Sequence, residues 1–255
     1  MKLRIGQIKV LPKKGKVQDN FCLLMEILHR REESLDVVIT PECFLDGYIA
    51  REKEVTEKDL FSYSLDPGNS PYGEEIKKWA KKENCWVILG CTRQEEKKVY
   101  NSALVFNRAG NLVGWYDKIH CQTHDRKFSP GSRLPVFSSD FGFFGVMICA
   151  DRRWPETVRC LALKGARIIF NPTFGMHDER NLAMMRTRSY ESEIFIVFTH
   201  PRQALVTGPE GEIITNETNK SRKLVVTEIN LDRVDRVRAG ECSHLRDLRQ
   251  EVYQW

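Results

Sequence analysis

Three residues far apart in the chain carry complementary chemistry, and each stands just past a short apolar run. Glu42 follows Val37-Val38-Ile39-Thr40-Pro41, Lys118 follows Leu112-Val113-Gly114-Trp115-Tyr116-Asp117, and Cys149 follows Gly145-Val146-Met147-Ile148. A thiolate can attack the carbon of an amide or nitrile. A carboxylate can take the thiol proton and return it to a leaving amine, and an ammonium can hold the oxyanion that forms in between. Cys149 is set at a corner: Pro155-Glu156 marks the first turn of a helix in which Val158, Leu161, Ala162 and Gly165 share one face. Backbone N–H groups and a helix dipole at such a corner favour the thiolate. Taken alone, a cysteine in an apolar run is ordinary packing, so the partners carry the argument.

The elements that must position them follow from hydrophobic period. Leu3 to Val10 alternates as a strand. A helix capped at Asp19 or Asn20 runs to about Arg31 with Leu23, Leu24, Ile27 and Leu28 inward, and Leu35 to Thr40 is a short buried strand. Pro71 to Glu83 is an amphipathic helix and Cys85 to Cys91 a strand. Val99 to Phe106 and Asn111 to Asp117 form a hairpin across Arg108 to Asn111. Phe143 to Ile148 is apolar on both faces; after its helix come strand Ala166 to Phe170, a helical segment Asp178 to Glu191, strand Glu193 to Phe198, a second hairpin around Gly208 to Gly211 and a late strand Leu224 to Leu231. The order α-β, α-β-β-β thus recurs in two halves. It predicts an α/β fold of two sheets packed face to face with helices outside, a four-layer α-β-β-α sandwich, with sites at converging strand ends.

At 255 residues with 41% hydrophobic content and no linker-like stretch, the chain reads as one domain, 1–255. No window approaches the ~20 apolar residues of a membrane span, and the N-terminus has no signal-peptide pattern; a soluble cytoplasmic protein is expected. Forty basic against 35 acidic residues are too evenly mixed for a nucleic-acid footprint. Eight scattered cysteines show no zinc spacing and read mostly as reduced core thiols. Trp115 and Trp154 read as core aromatics, and Cys43 as packing.

The segments V-I-T-P-E-C-F-L-D-G-Y (38–48), W-Y-D-K-I-H (115–120) and V-M-I-C-A-D-R-R-W-P-E (146–156), in this order and spacing, resemble the three active-site motifs of the nitrilase, or carbon–nitrogen hydrolase, superfamily. Tyr100-Asn101-Ser102, Ser129-Pro130-Gly131, Leu163 to Ala166 and Leu245 to Tyr253 extend the likeness along essentially the whole chain. The resemblance implies the αββα sandwich, hydrolysis of non-peptide C–N bonds in a small-molecule substrate without metal or organic cofactor, and a homodimer or larger homo-oligomer. It also implies Glu42 as general base, Lys118 as oxyanion and orienting residue, Cys149 as nucleophile and the backbone N–H of Ala150 as second oxyanion donor. The family's further glutamate near the lysine is missing from C-Q-T-H-D-R-K-F-S-P-G (121–131), where Asp125 is the nearest substitute.

Doubled arginine before Trp154 looks like the N-carbamoyl-D-amino-acid amidohydrolases, which implies that Arg152 grips a substrate carboxylate; a solvated or locally paired Arg152 is the plain alternative. Tyr48 and Asn171 are candidates for the pocket wall, while His177 and His200 near strand ends read as surface or packing residues. Three functions fit: an amidase or carbamoyl amidohydrolase, a nitrilase using the same trio, and a non-catalytic metabolite-binding homologue.

Overall fold

The computed structural model describes residues 1–253; Gln254 and Trp255, the end of the expected domain, lie outside the described residues. Twelve strands and six α-helices are present among the described residues. In chain order they are β1 (Lys2–Ile8), α1 (Val17–His29), β2 (Val37–Ile39), α2 (Glu57–Leu60), α3 (Pro71–Glu83), β3 (Trp86–Glu95), β4 (Lys98–Phe106) and β5 (Leu112–Asp117). Then follow β6 (Val136–Ser139), β7 (Gly142–Val146), α4 (Pro155–Leu163), β8 (Ile168–Pro172), α5 (Glu179–Ser192), β9 (Phe195–His200), β10 (Gln203–Thr207), β11 (Ile213–Glu217), β12 (Leu224–Asn230) and α6 (Asp232–Arg238). One six-stranded sheet has the order β12-β1-β2-β3-β4-β5 and the other β11-β10-β9-β8-β7-β6.

Strands buried on both faces make the layers. Along β3, Trp86 and Ile88 enter a cluster shared with Phe144, Val146, Phe170 and Phe195 of the opposite sheet, whereas Val87 and Leu89 pack on Leu24, Leu28, Ile76 and Trp79 of α1 and α3. Ile168 and Phe170 of β8 likewise face the inter-sheet core, and Ile169 meets Val158, Leu161 and Met185 of α4 and α5. This is the four-layer sandwich, helix, sheet, sheet, helix. Each such buried side chain contributes about 1.5–3 kcal/mol. No helix among the described residues is long and apolar enough to cross a membrane.

The structure departs from the sequence reading in four places. Helix α1 begins at Val17 without a side-chain cap, and Asn20 is buried inside it, where its side chain bonds Lys13 and the Leu45 carbonyl. Strand β6, too short to show a period, pairs with β7. The late strand β12 leaves the second half and pairs antiparallel with β1 along seven residues, closing the edge of the first sheet. Trp154 is not in the core: it is 36% exposed and stacks on His120 at 4.0 Å, while half-buried Trp115 flanks the Arg93 guanidinium.

The chain carrying Glu42 is pressed onto β3. The Gly90 amide donates to Thr40 Oγ1 at 2.8 Å, and Phe44 N–H donates to the Gly90 carbonyl at 2.9 Å. A Cβ on Gly90 would lie 2.1 Å from the Pro41 oxygen and 3.2 Å from Glu42 Cα, both backbone atoms. At Gly131 a Cβ would meet the Asp117 carbonyl oxygen at 2.2 Å, one residue before Lys118. Gly90→Ala must therefore displace the Glu42 segment. It should lower the unfolding free energy in urea by about 1–3 kcal/mol and reduce turnover with it; unchanged values for both would show that the two chains are not held in contact.

Candidate active site

β2 and β3 run parallel, β4 and β5 then alternate, so β5 shares the direction of β2, and in the second sheet β7, β8 and β9 are parallel. Glu42 and Lys118 leave the C-terminal ends of β2 and β5; Cys149 leaves that of β7. The hairpin brings a fourth residue, Asn101, next to the lysine: Lys118 N–H donates to the Asn101 carbonyl at 2.9 Å.

The Lys118 ammonium is buried between two buried carboxylates, 2.8 Å from Glu42 Oε1 and 2.7 Å from Asp125 Oδ2. Burial opposes the charge, but Glu42, the Cys149 sulfur and Asp125 outweigh it and hold the Lys118 pKa well above that of a free lysine. Asn101 Nδ2 donates to the same Glu42 oxygen at 2.8 Å. Among the described residues Glu42 Oε2 is buried without a donor. Asp125, held by the Gln122 N–H at 3.1 Å and by the Tyr48 hydroxyl on its other oxygen, supplies the second carboxylate beside the lysine. Its short side chain reaches because Thr123–Asp125 coils into a 3-10 turn.

Cys149 has φ +45°, left-handed for a side-chain-bearing residue, a strain of about 1–3 kcal/mol. Asp151 holds the bend. Its Oδ2 accepts from the Ile148 N–H at 2.9 Å and from the Tyr116 hydroxyl of β5 at 2.7 Å; Oδ1 accepts from the His120 backbone at 3.0 Å and lies 2.8 Å from His120 Nδ1. One carboxylate thus ties the cysteine's segment to that of the lysine.

The corner does not make a thiolate. Burial first, and then the Glu42 charge, raise the Cys149 pKa above that of a free thiol; Arg152, Lys118 and the Phe174 N–H oppose them without prevailing. A short 3-10 segment, Cys149–Arg153, intervenes before α4, so the helix expected to stabilise the anion starts too late.

Two substrate-binding expectations are corrected. Arg152 is buried and its nitrogens are taken: Nε donates to Asn181 Oδ1 at 2.6 Å, Nη2 to the Met176 carbonyl at 2.7 Å and Nη1 to the Cys149 carbonyl, with the guanidinium 5.3 Å over the Phe198 ring. It braces the cysteine bend and has no fork left for a carboxylate. Asn171, fully buried, donates to the Met147 carbonyl at 3.0 Å and accepts from Thr173 Oγ1 at 3.1 Å, tying β7 to the end of β8 rather than lining a pocket. Tyr48 contributes its hydroxyl to Asp125, and Ala150 is buried beside the sulfur's backbone.

Sequence reasoning missed the Phe174–Gly175 loop, whose Phe174 N–H bears on the sulfur and whose Gly175 would place a Cβ 3.2 Å from it. His200 secures this loop. Its Nδ1 accepts from the Arg202 N–H at 3.1 Å, so Nε2 carries the proton and donates to the Phe174 carbonyl at 3.2 Å, with exposed His177 stacked on it at 4.2 Å. Burial, then His177, push the His200 pKa down to about 3. Because the folded value lies below the unfolded one of about 6.5, the stabilisation from neutral His200 is complete above pH 6.5 and is lost as the pH falls towards 3. Imidazole NMR of the native protein should show His200 as the Nε2–H tautomer and uncharged at pH 5; a titration near pH 6.5 would contradict this packing.

Comparison with known proteins agrees with this fold. The carbon–nitrogen hydrolase family pattern matches residues 2–239. A probable nitrilase of Schizosaccharomyces pombe is 26% identical over 100% of this chain and 98% of its own. An omega-amidase, NIT2, of Xenopus tropicalis is 25% identical over 99% and 96%. Among solved structures, a mutant amidase from Nesterenkonia sp. AN1, described as showing covalent addition of the acetamide moiety of fluoroacetamide at its active-site cysteine, superposes with TM-score 0.79 at 18% identity, covering 98% of this chain and 95% of that one. The chain belongs to the carbon–nitrogen hydrolase family.

Proposed function

We propose that the protein hydrolyses small amides through a thioester on Cys149, with Glu42 as the base and Lys118 as the oxyanion partner. One observation carries the reading: a buried carboxylate has one oxygen fixed by Lys118 and Asn101 and the other without a donor, and its charge, after burial, raises the pKa of the Cys149 thiol. Glu42 Oε2 takes the thiol proton as Sγ attacks the amide carbon. The carbonyl oxygen becomes an oxyanion facing the Lys118 ammonium and the Ala150 N–H. Collapse breaks the C–N bond, and Glu42 returns the proton to the departing nitrogen, which leaves as ammonia. The same carboxylate then deprotonates water, which attacks the thioester; the C–S bond breaks, the acid leaves, and Glu42 passes its proton to the sulfur to restore the thiol.

Asp125 and Tyr48 keep the ammonium in place, and Asp125 stands where the family's second glutamate is expected. The amidase names of the X. tropicalis relative and the Nesterenkonia neighbour, and the cysteine adduct of the latter, support the chemistry. The Arg152 geometry removes the residue that pointed to N-carbamoyl amino acids, so a simple amide is the substrate class favoured here.

The purified protein should release ammonia from short aliphatic amides. Glu42→Gln should lower kcat by about 10²–10⁴, and Cys149→Ala should bring it to background with the fold intact by circular dichroism. Fluoroacetamide should add a single acetamide moiety to Cys149, detected by peptide mass spectrometry. Ammonia release persisting in Cys149→Ala would exclude this mechanism.

A further inference from the structure

Among the described residues two buried oxygens of the site have no donor. Glu42 Oε2 is the first; the second is Oδ1 of Asn101, a side chain only 2% exposed. Which end of this carboxamide is which follows from its partner. The atom 2.8 Å from Glu42 Oε1 must be the Nδ2 donor, because a carbonyl oxygen there would oppose a carboxylate. Oδ1 is then the end left over, separated from Glu42 Oε2 by no more than that hydrogen bond and the widths of the two end groups.

Strand β4 turns this side chain toward the second sheet. Ala103 and Val105 enter the inter-sheet cluster that contains Cys149, whereas Leu104 packs on the helix side and Ser102 donates to Asp117. Val99, two residues the other way, belongs to the cluster of Cys43 and Tyr48 on which Phe174 packs. Alternation therefore puts Asn101 on the same face as these, between the cluster that holds Cys149 and the one that supports its neighbouring loop. The Asn101 carbonyl, accepting from the Lys118 N–H at 2.9 Å, fixes the backbone there. An orphaned buried oxygen destabilises a fold, and an N–H donated by a bound substrate would complete it.

We propose that Asn101 is a further catalytic residue, whose Oδ1 accepts one N–H of the scissile amide nitrogen. This rests on the amide reading above and adds the contact made by the leaving group. In the tetrahedral intermediate that nitrogen carries two N–H bonds and one lone pair, and only the lone pair can take the proton that Glu42 Oε2 returns. An acceptor on one N–H fixes the rotation about the C–N bond so that the lone pair faces Oε2. The proton then passes from Oε2 to nitrogen, the C–N electron pair leaves with ammonia, the oxyanion closes to the thioester carbonyl, and Glu42 is again a carboxylate. Asn101 neither gains nor loses a proton.

An ester of the same acid has no N–H to offer, yet it forms the same thioester through the same sulfur, base and oxyanion groups. The experiment therefore compares kcat/KM for butyramide and methyl butyrate, following ammonia and methanol. Asn101→Leu should lower the amide-to-ester ratio by about 10–100-fold, the loss expected when a buried polar group is left without its partner. Asn101→Val, a residue suited to a strand, should show the same fall, so the outcome does not hang on the folding of one variant. Asn101→Asp keeps an acceptor oxygen at that place and should retain most of the native ratio, although a second carboxylate beside Glu42 lowers both rates. Equal loss of amide and ester turnover in Asn101→Leu and Asn101→Val, the result if Asn101 served only to hold Glu42, overturns the proposal while leaving amide hydrolysis standing. No ammonia from butyramide or any other short amide with the native enzyme fells the amide reading and this contact together.

Discussion

A single ammonium held dry between two carboxylates governs this site. Lys118, Glu42 and Asp125 are all buried, and taking their charges out of water costs several kcal/mol per ion, a cost offset only by close contacts on every side. The structure supplies them: Asn101 on Glu42, Tyr48 and the Gln122 amide on Asp125, both carboxylates on the lysine. Removing Lys118 leaves two buried carboxylates without their counter-ion, a loss of about 3–5 kcal/mol. That penalty binds together chain segments that start at β2, β4, β5 and the turn after Lys118.

The ion cluster is built on one sheet and the sulfur on the other, so the fold needs a joint between them. Asp151 is that joint. It accepts from Ile148 at the cysteine bend, from Tyr116 on β5 and from His120 just beyond the lysine, and it lies beneath the His120–Trp154 stack. The strained dihedral of Cys149 persists because Asp151 and Arg152 fix the residues on either side of it. Sheet-to-sheet packing of Phe144, Phe170 and Phe195 against β2 and β3 sets the spacing, and the buried carboxylate sets the register of the two loops.

How much of this was legible follows the range of each interaction. Strand–helix order and the apolar faces come from local period, and so do the strand ends that release Glu42, Lys118 and Cys149; Ser70 capping the helix Pro71–Glu83 is local too. Asn101 was within reach of the same reasoning, because a hairpin turning at Asn107 to Asn111 must set it beside Lys118. Partners more than a strand away were not legible. Nothing near Arg152 in sequence shows that Asn181 and the Met176 carbonyl will occupy it, and nothing near Leu224 shows that β12 will return to β1. Sequence chemistry identified a guanidinium beside Cys149; only burial shows that this one is a brace.

The raised pKa of the Cys149 thiol fits the charges around it. The buried carboxylates Glu42, Asp125 and Asp151 already outnumber the cations Lys118 and Arg152, so a standing thiolate would add a further negative charge to a buried site. Keeping the proton on sulfur until a carbonyl arrives avoids this. In the proposed mechanism the proton moves to Glu42 as the sulfur–carbon bond forms, so the negative charge passes from the carboxylate to the new oxyanion beside Lys118. The net charge of these groups stays constant through that step, and only its location changes. An environment already polarised around a fixed ammonium then needs little reorganisation, which is where such a site gains its rate.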